Sequence, residues 1–344
     1  MKRAFEEVRY AVIGVPYLRI SFQTLFPGQV QFENTIRRRV RFLFCTITEL
    51  NTMNNNNYDK KYLFSGHESF PCKTLWLKKG YDFIKGDKDF NSSDAVIQLG
   101  VGKNMVSSIR FWLKSFGVID DGGVTKLGDY LFDDANGRDR YMEDLTTLWL
   151  LHFNLVFLKR ATLYNMLFCG VQRERSLFER EQVQTYVKLK VAEAGKQNAY
   201  NENTVKKDIG VLLQNYVLPK KSQSNEDYSS LLMDLDLIRQ NNSDKGYVFN
   251  VEGKRKVTKE VFMYGLLCLR EQTDDNTISF EAIQDQVGLT FCMSENETVS
   301  MLKQLAELYG DYMSYNDVAG IRQIQFTKET DTFKVLDDYY DKNI

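Results

Sequence analysis

The densest run of reactive side chains in the 344-residue sequence is FSGHESFPCKTLWLKKGYDF at 64–83. His67 and Glu68 are neighbours, Ser65 and Ser69 flank them, and Cys72 follows. A Cys–His or Ser–His nucleophile pair, or a His/Glu fragment of a metal site, can be drawn from these residue types. Their spacing argues the other way, because consecutive residues on a helix or strand do not face one another. The plainer expectation is a structured loop, with Ser65 or Ser69 as a cap, His67 hydrogen-bonded and Pro71 setting the turn before a helix. Ser65, His67 and Glu68 therefore stand as possible functional residues. No catalytic residue, metal ligand or cofactor is assigned, and an enzyme built on His67, Glu68 or Cys72 is the least favoured reading.

A second stretch, GVGKNMVSSIR at 100–110, could hold a phosphate. A nucleotide loop of the GxxxxGK[ST] kind needs its lysine and hydroxyl adjacent at the helix start, and here Asn104 follows Lys103. A dinucleotide fingerprint lacks its third glycine. The residues after the turn are more informative. Asn104 can cap a helix and Gly117 can close it. Met105/Val106, Ile109, Trp112/Leu113 and Phe116 form an apolar stripe at helical period. Lys103, Ser107, Arg110 and Lys114, spaced by four, three and four, share the opposite side. Three cations with a small hydroxyl between them suit a helix laid on duplex DNA, although any soluble helix carries a solvated charged face. The candidate DNA contacts are Lys103, Asn104, Ser107, Ser108, Arg110, Lys114 and, beyond the following turn, Lys126.

The elements that must position these residues are mostly helical. The chain has four prolines, and apolar residues recur at intervals of three and four from Tyr58 onward. Polar breaks at DDANGRDR (133–140), KKSQSNEDY (220–228) and TDDNT (273–277) divide it. Each piece reads as a short helix, a turn, a longer helix and two strand-like runs. The third has a capping box in Ser294 and Glu297 and a long helix whose exposed face is not basic. That order predicts a mainly α protein of two or three winged-helix-like units, each a helix-turn-helix with a small β-wing. The expected domains are 58–160, 161–257 and 258–344, preceded by a non-native or disordered extension over 1–57. Residues 1–52 hold seven Arg and one Lys, against 11 Arg and 26 Lys in the remainder, and this break points to Met53 as the start. The rival is a basic arm, in which RRRVRF at 37–42 tracks a phosphate backbone.

Bulk composition excludes several classes. The net charge of −1 rules out a uniformly basic nucleic-acid coat, so any DNA surface is local. Five scattered cysteines without a CxxC pair predict free thiols in a reducing, cytoplasmic setting, and two histidines leave little material for a zinc cluster. The longest apolar run, LTTLWLLHFNLVFL at 145–158, is short of the roughly 20 residues a membrane span needs and contains His152 and Asn154. It reads as a buried helix with His152 as a satisfied core residue.

Three passages, SGHESFPCKTLWLKKGYDF, LGVGKNMVSSIRFWLKSFGVI and LTTLWLLHFNL, together resemble the uncharacterised bacterial DUF4007 family. The resemblance begins near Phe64, covers essentially the rest of the chain and is strongest over 64–160, with nothing in 1–57 matching. It implies a bacterial protein often encoded beside sulfurtransferase-like genes in DNA-modification and phage-defence clusters. It carries no established catalytic residues. The expectation is thus a non-catalytic, duplex-DNA-binding component of such a system, with double-stranded DNA and other proteins of the system as partners and no membrane. A protein-interaction scaffold is the alternative.

Overall fold

The computed structural model describes residues 62–219, 229–241 and 246–343. The expectations about the extension at 1–57 lie outside these residues.

The first helix, α1 (Trp76–Lys85), crosses α3 (Lys103–Ser115) at Gly80, where an added Cβ would sit 2.5 Å from a methyl of Leu113. Between them lies the short α2 (Ala95–Leu99), joined to α3 by Gly100-Val101-Gly102. Only Gly100 of the two glycines uses a left-handed backbone, at φ 60°. The helix starts one residue before the expected cap, so Asn104 lies inside its first turn and Gly102 takes the cap position. Gly117 closes the helix at φ 74°. Two residue pairs, Ile119↔Val124 and Asp120↔Gly123, join β1 (Ile119–Asp120) to β2 (Gly123–Val124). Thr125 then caps α4 (Lys126–Phe132), accepting from Gly128 N–H at 3.1 Å.

The centre of the molecule is α5 (Leu145–Phe157), buried at every position from Thr146 to Val156 because its sequence is apolar on all sides. Around it run α6 (162–174), α7 (Arg180–Glu193), α8 (Glu202–Tyr216), α9 (Lys259–Thr273) and α10 (280–288). Both α6 and α10 widen into π turns, at Met166–Val171 and Gln284–Gly288. These widened ends meet: Gln172 donates to the Leu289 carbonyl at 3.2 Å and Arg173 pairs with Asp285 at 2.8 Å.

Two three-stranded antiparallel sheets complete the body. Strands β3 (Leu177–Glu179), β4 (Ile238–Gln240) and β5 (Gly246–Phe249) stand in the order β3-β5-β4. Strands β6 (Thr277–Ser279), β7 (Met313–Val318) and β8 (Ile321–Phe326) stand in the order β6-β8-β7. The helix α11 (Glu295–Leu308) begins with the expected Ser294/Glu297 capping box. The last helix, α12 (Thr332–Asn343), packs against the segment that leads from α4 into α5. There Arg138 pairs with Asp337 at 2.7 Å and Asp341 at 2.6 Å, and Thr147 meets the Tyr340 hydroxyl at 2.7 Å.

The expectation of a mainly α chain of winged-helix-like units does not hold. The fold is a mixed α/β body with three small antiparallel sheets. One apolar cluster runs without interruption from Cys72 to Tyr340. The α3 stripe divides between this cluster, through Ile109, Trp112, Leu113 and Phe116, and a smaller one of Phe83, Ala95, Leu99 and Val106. The first supposed wing is only two residue pairs long, and a ladder of that length cannot define a unit of its own.

Candidate functional site

The side of α3 away from the core carries the expected cations. Lys103, Asn104 and Ser107 are exposed, and Arg110 and Lys114 are half-buried. Arg110 donates to Asn91 Oδ1 at 2.9 Å. Asn91 is neutral and links the guanidinium to a carboxylate, since its Nδ2 donates to Asp89 Oδ1 at 2.9 Å. Lys114 pairs with the exposed Asp121 of the β1–β2 turn at 2.6 Å. The Lys114 ammonium holds the Asp121 carboxyl below its usual range, and the fields of Arg160 and Arg110 act in the same direction. Arg160 lies in the turn after α5, outside the α3 pattern, and sequence periodicity gave no sign that it joins this face. Lys103, Arg110 and Lys114 thus stand on this side of α3, with Arg160 near enough to act on Asp121, the carboxylate paired to Lys114, and with Asp120 exposed beside it. Two other predicted contacts sit elsewhere. Ser108 is fully buried with its hydroxyl unpartnered among the described residues, and Lys126 pairs with Asp331 at 2.9 Å while its ammonium lies 4.4 Å from the Phe333 ring centre.

Behind α3 lies the loop that contains Ser65, His67 and Glu68. Three of its residues adopt left-handed backbone without being glycine: Ser65 (φ 66°), Glu68 (φ 49°) and Ser69 (φ 66°). Such a run costs on the order of 1 kcal/mol per residue and persists only where the surroundings fix it. Helix α8 supplies those fixings from two positions seven apart on one face. Asp208 Oδ2 accepts from Ser65 N–H at 2.8 Å, and Asn215 Oδ1 accepts from Cys72 N–H at 3.0 Å. Asn215 Nδ2 in turn donates to the Tyr164 hydroxyl at 2.7 Å. Gly66 passes directly under Phe111, whose ring would lie 2.3 Å from an added Cβ.

His67 is buried, its ring stacked on Trp112 at 5.9 Å between centres and edge-on to Phe111 at 5.8 Å. Its Nδ1 accepts from Ser69 N–H at 3.2 Å, so in the neutral ring the proton sits on Nε2, 3.2 Å from Asp208 Oδ1. Nδ1 is thereby engaged, Nε2 lies beside Asp208 Oδ1 without an aligned hydrogen bond, and Glu68 is exposed. Burial pushes the Cys72 thiol well above its ordinary range, the wrong direction for a thiolate nucleophile. What this segment has is the geometry of a rigid strut.

His152 anchors a second network. Its Nε2 lies 2.7 Å from the Thr290 carbonyl, which can only accept, so Nε2 carries the proton and Nδ1 accepts from the Tyr216 hydroxyl at 2.8 Å. Burial pushes its pKa down to about 4, which keeps it neutral. Tyr216 adjoins Asn215, so the end of α8 ties the loop at 63–75, through His152, to the turn that follows α10. Among the described residues no three His, Cys, Asp or Glu side chains gather to hold a metal, and no helix is long and apolar enough to cross a membrane.

The block from α1 to α5, where the quoted motifs lie, belongs to a longer match: the family model for DUF4007, a protein family of unknown function, fits residues 64–340. The chain belongs to the DUF4007 family. Two solved structures share the fold of this DUF4007 chain. The SspB crystal structure is 25% identical with a TM-score of 0.71, covering 81% of this chain and 88% of that one. Magnesium ion-bound SspB is 23% identical with a TM-score of 0.70 over the same shares. No curated protein matches the sequence.

Proposed function

We propose that this DUF4007 protein is a non-catalytic, duplex-DNA-binding component of a bacterial DNA-modification or phage-defence system. The observation that carries the reading is the set of cations on the outer side of α3. Lys103, Arg110 and Lys114, with Arg160 acting on Asp121, outnumber the neighbouring carboxylates of Asp89, Asp120 and Asp121, of which only Asp121 forms an ion pair with one of them. In a chain whose net charge is −1, such a local excess is the electrostatic footprint of a phosphate contact. Asn104 and Ser107 lie between the cations as neutral donors to phosphate or base edges. Ser108 and Lys126 are left out, the one because it is buried and the other because Asp331 engages it. The genomic setting implied by the DUF4007 resemblance supports the link to DNA modification.

The test is duplex binding by fluorescence anisotropy for the wild-type chain and for Arg110→Glu/Lys114→Glu. The double reversal weakens binding by about two orders of magnitude at low salt, since two favourable contacts become repulsive. Unchanged affinity ends the proposal.

A second reading, a protein-interaction scaffold, is favoured by one feature. Strand β7 is an outer strand of its sheet, and the hairpin ends in Val318 and Ile321, 67% and 62% exposed. An open strand edge with an apolar tip is a surface to which another protein adds. The two readings are compatible, because α3 and this hairpin are separate elements of the chain.

A further inference from the structure

The hydrogen-bonding groups along the open edge of β7 can be assigned residue by residue. The strand joins β8 through the two-residue turn Ala319-Gly320, left-handed at both positions (φ 55° and 82°). In a turn of this kind the closing pair, Val318↔Ile321, exchanges both of its hydrogen bonds. Such pairs alternate along an antiparallel ladder, so Asn316 and Ser314 also bond to β8. The same parity returns beyond the strand, where Thr327 N–H donates to the Tyr312 carbonyl at 2.8 Å. Met313, Tyr315 and Asp317 therefore turn their N–H and C=O groups outward. Met313 N–H is held there by the Tyr309 carbonyl at 3.0 Å. Among the described residues, the N–H groups of Tyr315 and Asp317 have no acceptor.

Edge strands that must stay single carry lysine, proline or a bulge. β7 reads Met-Ser-Tyr-Asn-Asp-Val and has none of these, and its ladder with β8 runs unbroken from Met313 to Val318. Its charge pattern suits an antiparallel second copy of itself. Residues directly opposite one another share a face, so the two-fold axis of such a pair passes through a residue and not between two. An axis at Ser314 or Tyr315 would call on Met313 N–H, which Tyr309 already holds. An axis at Asp317 would set two carboxylates against each other. Asn316 meets neither obstacle. We propose that β7 pairs with β7 of a second copy about Asn316, joining two three-stranded sheets into one of six strands. Tyr315 of each copy then exchanges both backbone hydrogen bonds with Asp317 of the other, which sets the strand's one carboxylate opposite a neutral phenol. On the outer face Asn316 meets its own copy and Ser314 meets the exposed Val318. The proposal rests on the scaffold reading of this edge and names its partner, and it uses none of the α3 cations.

The test is sedimentation velocity of the full chain over a concentration series, with amide hydrogen exchange on the same samples. The expected result is a reversible dimer in which exchange at Tyr315 and Asp317 slows as the dimer forms. Asn316→Lys and Asn316→Asp each place like charges on the axis and weaken the dimer by about tenfold, whereas an equimolar mixture of the two restores it. Asn316 is exposed, so neither change disturbs the core. A chain that stays monomeric, a dimer unaffected by both variants, or a mixture no tighter than either variant alone overturns the self-pairing. Fast exchange at the two amides in a monomer ends the self-pairing alone. Slow exchange there in a monomer means that the edge is already covered within the chain, and it ends the scaffold reading as well.

Discussion

Replacing Asn215 by Leu tests the claim that α8 holds the 63–75 loop in its strained shape. The side chain is fully buried and makes three hydrogen bonds: from Cys72 N–H at 3.0 Å, to the Tyr164 hydroxyl at 2.7 Å and to the Val211 carbonyl at 3.3 Å. Leu keeps the branched heavy-atom shape of Asn, so no cavity opens and the loss is mainly polar. Orphaning the buried Cys72 N–H costs about 1–3 kcal/mol, and removing the donor to Tyr164 costs about 1 kcal/mol more. The sum, about 3 kcal/mol, is a large share of a typical domain's stability. Urea unfolding followed by circular dichroism should show the unfolding free energy fall by this amount, as a lower midpoint with an unchanged slope. Hydrogen exchange should quicken selectively between residues 63 and 75, because the left-handed residues then lose one of their two anchors on α8. Asn215→Asp, which keeps the acceptor for Cys72 and loses the donor to Tyr164, should fall between the two. A loss below about 1 kcal/mol, or unchanged exchange in the loop, would refute the strut.

Two further outcomes follow from the same geometry. His152 has its pKa pushed down to about 4 from an ordinary value of about 6.5, so protons bind the unfolded chain more readily. Its contribution is complete above pH 6.5 and is lost as the pH falls toward 4. The limiting slope is roughly 1.4 kcal/mol per pH unit and the total about 3 kcal/mol, and a chemical-denaturation series should show that slope missing in His152→Gln. Gly66→Ala forces a Cβ into the Phe111 ring and should cost about 1–3 kcal/mol, part of which Phe111→Leu recovers. Additive costs in the double variant would contradict the contact.

Local signals were legible in the sequence and long-range ones were not. The Ser294/Glu297 box, the closure of α3 at Gly117 and the burial of 146–156 each depend on a few adjacent residues and a helical period. The loop at 64–72 was recognisable as structured, yet its anchors Asp208 and Asn215 stand 143 residues away from Ser65 and Cys72. No spacing rule reaches that far. Arg160 joins the α3 face through the turn after α5, which periodicity within α3 cannot register. The winged-helix expectation failed for a related reason. Apolar stripes report that a helix has a buried side but not which element covers it, and here most of the buried residues from all three stretches belong to one cluster that includes α5, with a smaller cluster around Val106. Ser108 shows the finer limit: it adjoins Ser107 in sequence, but the turn of the helix sends it into the core.

The central claim is that the α3 cations contact DNA phosphates, and the salt dependence of duplex affinity measures this most directly. Each phosphate contact contributes a slope of about −0.9 to the plot of log affinity against log salt, so neutralising Arg110 and Lys114 together as Arg110→Gln/Lys114→Gln should reduce the slope by roughly 2. A wild-type chain that binds duplex with a slope identical to that of the doubly neutral variant would contradict the account.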